Sequence, residues 1–360
     1  MTTSERLGLL GGCAPLFEPW TGSFEAGTLS EWLAAELGDI EALDKPIPHG
    51  ALQSQARAPK NLLHVVSENT PHAAFQSLLR GLVVGSNNLV KLPSSGLPAL
   101  ENAAAQFPAE LGALVRLEPA LPPDWTVWAD AVVVFGNDET LSWFAAHTPP
   151  TVRLVGHGHK FSIAVVSGEP EIAARLAARD VSLFDQQGCL SLHDVFLTSE
   201  AGLPVREFAA LLAEEMQIFE AHTPRSALSP AESGALTSLR ESVRFMAASQ
   251  PGDVALWESE GSTAWTVIFE RDPLLKLSPL NRFVYVKPWP EADPAQALGP
   301  HRKHLSSLAL HPFDSGRAAS FLDLGATRLC PLGTTQEPSL FWHHDGVPPL
   351  ASLVTWVDIG

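Results

Sequence analysis

The sequence predicts a two-domain α/β protein built on parallel sheets. Three observations support this reading. Short apolar runs of strand type recur at LLHVV (62–66), NLVKL (88–92) and AVVVF (131–135), helical periodicity separates them, and 360 residues at roughly 150 per domain make about two domains. No run of similar segments at a fixed period of about 20 to 50 residues is present, which excludes solenoids and arrays.

The first 60 residues read as irregular or short helical pieces. After Pro71, Phe75, Leu78, Leu79, Leu82 and Val83 fall at helical spacing on one face, and Gly85 stops the helix. With the strands on either side, 62–92 forms a strand, crossover helix and strand unit. A helical segment near 101–115 leads to AVVVF, apolar on both faces as a strand between helix layers should be, then to a turn at Gly136 and a helix from Asp138. Val152–Val155 and Ser162–Val166 are further strands, and Glu171–Arg179 is a helix. Val205, Phe208, Leu212, Met216 and Phe219 make 205–219 an amphipathic helix. A loop and a helix occupy 222–253, and 281–287 and 353–359 read as strands.

Composition narrows the function. Lys plus Arg number 23 against 40 Asp plus Glu, a net charge of −17, and that field repels phosphate backbones and anionic lipid. Nucleic-acid binding is disfavoured. With 45% hydrophobic and 18% charged residues the chain is globular, and 30 prolines imply many irregular connections. Cys13, Cys189 and Cys330 are too few and too far apart for a disulfide framework or a Cys-rich zinc site, so a reducing, cytoplasmic setting is expected. No apolar run approaches the roughly 20 residues of a membrane span. LGLLGGC (7–13) is faintly similar to a lipoprotein cleavage site, but it is short and preceded by Glu5 and Arg6, which argues against export.

FDQQGCLSLHD (184–194) places Cys189 after Gly188, where the backbone permits a reacting carbonyl to approach the Cys189 amide while the thiolate attacks. Taken by itself, a small buried thiol is the commoner use of such a cysteine. Asn69, in SENTPH, reads as a turn and cap residue, and Lys91 sits at the carboxyl end of its strand, where open α/β sheets place ligands. FGNDET (135–140) joins a strand to a helix N-terminus suited to a pyrophosphate, although Asp138 and Glu139 oppose one and capping explains them. His157 and His159, with His343, His344 and Asp345, supply metal-ligand types without a familiar spacing. A metal hydrolase is therefore the weaker reading, and a tight loop packing the histidines against backbone suits Gly156 and Gly158 better. Cys330 reads as a packed structural thiol, and His193 and Asp194 as residues that either tune the thiolate or cap a loop.

Together these segments resemble the aldehyde dehydrogenase superfamily. More closely, HGHKFSIAVV, DVSLFDQQGCLSLHDVF, RLCPLGTTQEPSLFWHHDG and LVTWVDI resemble the LuxC-type fatty acyl-CoA reductases, from about residue 60 to the end with a thin patch between 222 and 260. The resemblance implies a Rossmann-type cofactor domain at 1–158 and a second α/β catalytic domain at 159–345. The tail at 346–360 would return to the first domain or to an oligomer interface. It implies Cys189 as acyl-accepting nucleophile, Asn69 as oxyanion donor beside the Cys189 N–H, Lys91 and Ser94 on the adenosine ribose or its 2′-phosphate, and Gly136 and Asn137 near the pyrophosphate. The cofactor would be NADPH and the substrate a fatty acyl-CoA or acyl-protein thioester. An acyl-transferring partner protein and a homo-oligomer are compatible with that chemistry, and no metal is called for.

Three departures matter. Gly156 stands where oxidising aldehyde dehydrogenases have a water-activating glutamate, which implies that the thioester survives for reduction. The glutamate that contacts the nicotinamide ribose has no clear counterpart near 277–281. Only 68 residues precede Asn69, which implies reduced tunnel walls or a reduced oligomerisation arm. Two other readings stay open, an aldehyde dehydrogenase working oxidatively and a noncatalytic carrier- or partner-binding homologue.

Overall fold

A computed structural model of the protein describes residues 1–67 and 71–360. They divide into two compact units, Met1–His159 with Glu337–Gly360, and Lys160–Gln336.

Of the irregular or short helical pieces expected at the start of the first unit, the structure has helices: α1 (Thr3–Gly12), α2 (Ala14–Thr21) and α3 (Ala26–Leu37). Thr2 and Glu5 start α1 with a capping box, each side chain accepting from the other's backbone N–H. The helices bury Leu7, Leu10, Phe17, Leu29, Trp32 and Leu33, at about 2 kcal/mol for each large side chain. Each is only two or three turns long, and Gly and Pro interrupt α1 and α2, so the apolar stripes are too short to show their period.

A hairpin, β1 (Ile47–His49) and β2 (Leu52–Arg57), precedes the main sheet of this unit. β3 (Asn61–Val65), α4 (Pro71–Val84) and β4 (Asn87–Lys91) form the expected crossover unit. The helical reading of 101–115 resolves into α5 (Pro98–Ala104) and α6 (Ala109–Gly112), followed by an unexpected strand, β5 (Val115–Glu118). Then come α7 (Trp125–Trp128), β6 (Ala131–Phe135), α8 (Asp138–His147) and β7 (Arg153–His157). These five strands are all parallel in the order β5-β4-β3-β6-β7. The order reverses between β3 and β6, the switch point beside which open sheets hold ligands at the carboxyl ends of the strands.

The second unit runs β8 (Phe161–Val166), α9 (Pro170–Ser182), β9 (Leu192–Leu197), α10 (Val205–His222), α11 (Pro230–Ser249), β10 (Val254–Glu258), β11 (Thr266–Glu270), β12 (Phe283–Pro288), α12 (Pro294–Leu298), β13 (Leu305–His311), α13 (Ser315–Ala318) and β14 (Arg328–Pro331). Its seven strands follow the order β10-β11-β12-β9-β8-β13-β14, with only the β10–β11 pair antiparallel. Ala173, Ala174, Ala177 and Ala178 give α9 a small-residue face that joins the core beside Phe208 and Leu212 of α10.

The chain returns to the first unit at Glu337, nine residues before the expected 346, and His159 also lies in the first unit. The reason is packing: Leu350, Leu353 and Val354 complete the first core, and Glu36 accepts from the N–H groups of Leu350 and Ala351 at 2.7 and 2.9 Å. β15 (Thr355–Ile359) pairs antiparallel with β2 to close a three-stranded sheet, β1-β2-β15. No described helix is long and apolar enough to cross a membrane.

Candidate active site

Cys189 sits half-buried in a turn between the 3-10 turn Leu183–Gln186 and β9, while Cys13 and Cys330 are buried. Burial raises the Cys330 thiol to about 11 and raises that of Cys13 as well, which leaves both as inert packed groups. The Cys189 turn is held from below. The Ser162 hydroxyl of β8 donates to the Cys189 carbonyl at 3.0 Å and accepts from the Ser307 N–H of β13 at 3.2 Å. The Ser191 N–H donates to the Gly188 carbonyl at 3.0 Å, and Gln336 Nε2 donates to Ser191 Oγ at 2.9 Å.

The approach to this turn is strained. Phe184, Asp185 and Gln186 have φ of 53°, 53° and 63°, and Leu280, Asn281 and Arg282 have 68°, 61° and 62°. Left-handed backbone at non-glycine residues costs roughly 1 kcal/mol each, so the surroundings must hold both turns in place.

His193 and Asp194 do not cap a loop; they lie inside β9. His193 Nδ1 accepts from the Ser278 N–H at 3.0 Å. Asp194 is fully buried, and desolvation pushes its carboxyl well above the usual range against the pull of Lys287. Lys287, also fully buried, is neutralised by Glu270 at 2.8 Å.

In the first unit, Lys91 ends β4 half-buried, and its ammonium makes no ion pair or hydrogen bond with a described residue. Ser94 is exposed two residues beyond the neighbouring Leu92. A Cβ at Gly136 would lie 2.8 Å from Thr140, so this close turn requires glycine. Asn137 is the N-cap of α8, with its Oδ1 accepting from the Thr140 N–H and hydroxyl at 2.9 Å. Asp138 and Glu139 already occupy the positive end of that helix. Asn69 lies outside the described residues.

His157 is not packed against backbone as the sequence suggested. It ends β7, its Nδ1 lies 2.8 Å from Asp345 Oδ2, and it stands in a column of stacked rings, Phe135, His157, His344 and Trp342, with centroids 4.6, 4.1 and 4.5 Å apart. His157, His344 and Asp345 each offer a donor atom within 4.8 Å of the others. A cation does not suit this group. Arg80 can only donate, so its 3.1 Å bond to His344 Nδ1 leaves the ring proton on Nε2, the atom a metal would need, and adds a positive charge beside it. Burial, then His157 and Arg80, push His344 well below its ordinary value and keep it neutral. Arg80 escaped the sequence reading, although an arginine within the apolar run of α4 was a visible signal.

The fold of both units is that of the aldehyde dehydrogenases. The whole chain superposes on an NAD-dependent benzaldehyde dehydrogenase from Corynebacterium glutamicum with a TM-score of 0.65 and 16% identity, covering 86% of that chain. It also superposes on the Delta-pyrroline-5-carboxylate dehydrogenase from Mycobacterium tuberculosis with a TM-score of 0.65 and 14% identity, covering 78% of that chain. Residues 14–356 match the acyl-CoA reductase (LuxC) family, and the chain belongs to that family of oxidoreductases. It is 24% identical over 350 residues to a long-chain acyl-protein thioester reductase of Photorhabdus luminescens, spanning 92% of this chain and 70% of that one. A long-chain acyl-protein thioester reductase of Aliivibrio fischeri is 24% identical over 344 residues, or 89% and 68% of the two chains.

Proposed function

We propose that the protein reduces a long-chain fatty acyl thioester, on CoA or on a protein, to the aldehyde with NADPH, through an S-acyl intermediate on Cys189. The observation that carries this reading is the position of Cys189, the half-exposed thiol on a braced turn in a chain of the acyl-CoA reductase family.

The Cys189 thiolate attacks the acyl carbon, forming a C–S bond and a tetrahedral oxyanion. Asn69 and the Cys189 N–H hold that oxyanion, each such donor being worth about 3 kcal/mol. Collapse expels the CoA or carrier thiolate, which takes a proton and leaves. The first unit holds the dinucleotide. Lys91 and Ser94 would hold the adenosine ribose or its 2′-phosphate, and the Gly136 backbone and Asn137 would contact the pyrophosphate. The uncommitted charge of Lys91 supports this fit. When bound there, NADPH would supply the hydride that the thioester carbon of acylated Cys189 accepts. The second oxyanion, held by the same donors, then collapses to aldehyde and regenerates the Cys189 thiolate. One acyl thioester, one NADPH and one proton give one aldehyde, one thiol and NADP+.

Water must not intercept the intermediate. Gly156 carries no carboxylate, and a Cβ there would meet Leu141 of α8 at 3.1 Å, so the space beside it is filled by an apolar side chain. Incubation with radiolabelled long-chain acyl-CoA tests the proposal. Hydroxylamine-sensitive label is expected on the parent and absent from Cys189→Ala, and equal labelling of the two rejects the nucleophile. Faster oxidation of aldehydes to free acids than reduction of acyl-CoA rejects the direction.

A further inference from the structure

The geometry points to Gln186 as a positioning residue for the reaction of Cys189, an inference that rests on the acyl-thioester reading above. Two turns in the second unit each run three successive non-glycine residues in left-handed backbone, Phe184 to Gln186 and Leu280 to Arg282. Side chains from each turn reach across to the other, and the most buried of these is Gln186.

Gln186 is fully buried and both ends of its carboxamide are hydrogen-bonded. Its Oε1 accepts from the Phe283 N–H at 2.8 Å, while its Nε2 donates to the carbonyls of Leu192 at 2.7 Å and Phe283 at 2.8 Å; the Ser278 hydroxyl gives its one proton to the same Phe283 carbonyl. Leu192 opens β9 and Phe283 opens β12. The β9–β12 ladder begins two residues later, at Asp194 and Tyr285, so the Gln186 amide stands between the strands in place of their first rung. The bond to Leu192 also closes a loop from 186 to 192 whose midpoint is Cys189.

A second tier reinforces the first. Gln187 Nε2 donates to Asn281 Oδ1 at 2.7 Å, and Arg282 pairs with Asp185 at 2.7 Å. The loop that carries the nucleophile and its oxyanion-binding N–H is therefore fixed before substrate arrives, and Gln186 is its clasp. Such fixing matters for acyl transfer, which needs sulfur and N–H at a set angle, and matters little for simple alkylation, which needs only the thiolate.

The test compares those two reactions at Cys189 by mass spectrometry. In Gln186→Met, which keeps the volume and loses the hydrogen bonds, acylation by long-chain acyl-CoA should fall by about tenfold or more, while iodoacetamide alkylation is little changed. In Gln186→Glu, acylation should approach that of the parent as pH is lowered and the new carboxyl regains a donor, whereas Gln186→Met shows no such recovery. Acylation of Gln186→Met at the parent's rate overturns the inference, as does an equal fall in both reactions. If Gln186→Met does not fold, Asn281→Ala carries the test: a selective loss of acylation supports the clasp and equal changes overturn it. A parent protein that is alkylated at Cys189 but never acylated overturns the functional reading instead, and is recognised without any variant.

Discussion

Asp345 Oδ2 lies 2.8 Å from His157 Nδ1, joining residues 188 positions apart and fastening the returning chain to the end of β7. Asp345 itself holds φ at 54°, a conformation asparagine tolerates better than alanine does. Asp345→Ala should destabilise the protein by about 2 kcal/mol and Asp345→Asn by less, read from denaturant midpoints. Equal losses would mean that the His157 bond contributes little.

Ser162 is the link between the sheet and the Cys189 turn. Ser162→Ala leaves the Cys189 carbonyl and the Ser307 N–H without this partner. A stability loss of about 1 to 3 kcal/mol is expected, with slower acyl labelling of Cys189. Labelling at the parent's rate in a protein destabilised by that amount would show that the turn keeps its shape without the hydroxyl.

Gly81 of α4 faces the polar interior of the first sheet. A Cβ there would fall 1.8 Å from Asn88 Oδ1, which lies 2.9 Å from Nε2 of the fully buried His64. Gly81→Ala gains helix propensity of up to about 1 kcal/mol, yet displaces Asn88 from that bond. A net loss of about 2 kcal/mol or more is expected, and an unchanged thermal midpoint would contradict the packing.

The two units should answer pH with opposite signs. Burial lowers His64 from 6.5 to about 4 and lowers His72 likewise, so the unfolded chain binds more protons and the first unit loses stability as pH falls from 6.5 through 4. For His64 alone the loss is on the order of 3 kcal/mol. Burial raises Asp180 from 3.8 to about 6, so its contribution to the second unit is fully present below 3.8 and is lost as pH rises through 6. Hydrogen exchange between pH 4 and 6.5 should therefore show weaker protection of β3 and α4 at the acid end and no parallel weakening around α9. Parallel behaviour of the two would contradict these shifts.

Lys91→Met should raise KM for NADPH by roughly 30-fold, the equivalent of about 2 kcal/mol for a charged hydrogen bond, and change KM for NADH much less. Equal effects on both nicotinamides would remove Lys91 from the 2′-phosphate.

The parallel sheet of the first unit was legible because LLHVV and AVVVF are almost wholly apolar, as strands covered on both faces must be. β9 and β13 were not. LHDVFL carries His193 and Asp194, and LSSLALH carries Ser306 and Ser307, polar residues that read as loop and are buried here. Partners supplied from distant segments, such as the Ser278 N–H for His193, make that burial tolerable, and no periodicity reports them. Cys189 drew notice through its neighbours in sequence, Gly188 above all. The groups that brace the two units did not, since Arg80 meets His344 across 264 positions and Gln186 meets Phe283 across 97.

The first unit is discontinuous, and this has a consequence for synthesis. A ribosome adding roughly 5 to 20 residues per second needs about 10 to 35 s to traverse 160–336, and during that time Glu36 of α3 lacks the N–H groups of Leu350 and Ala351 and β2 lacks its neighbour β15. Cys189 is thus translated, and its unit can mature, before the first unit has all of its own chain.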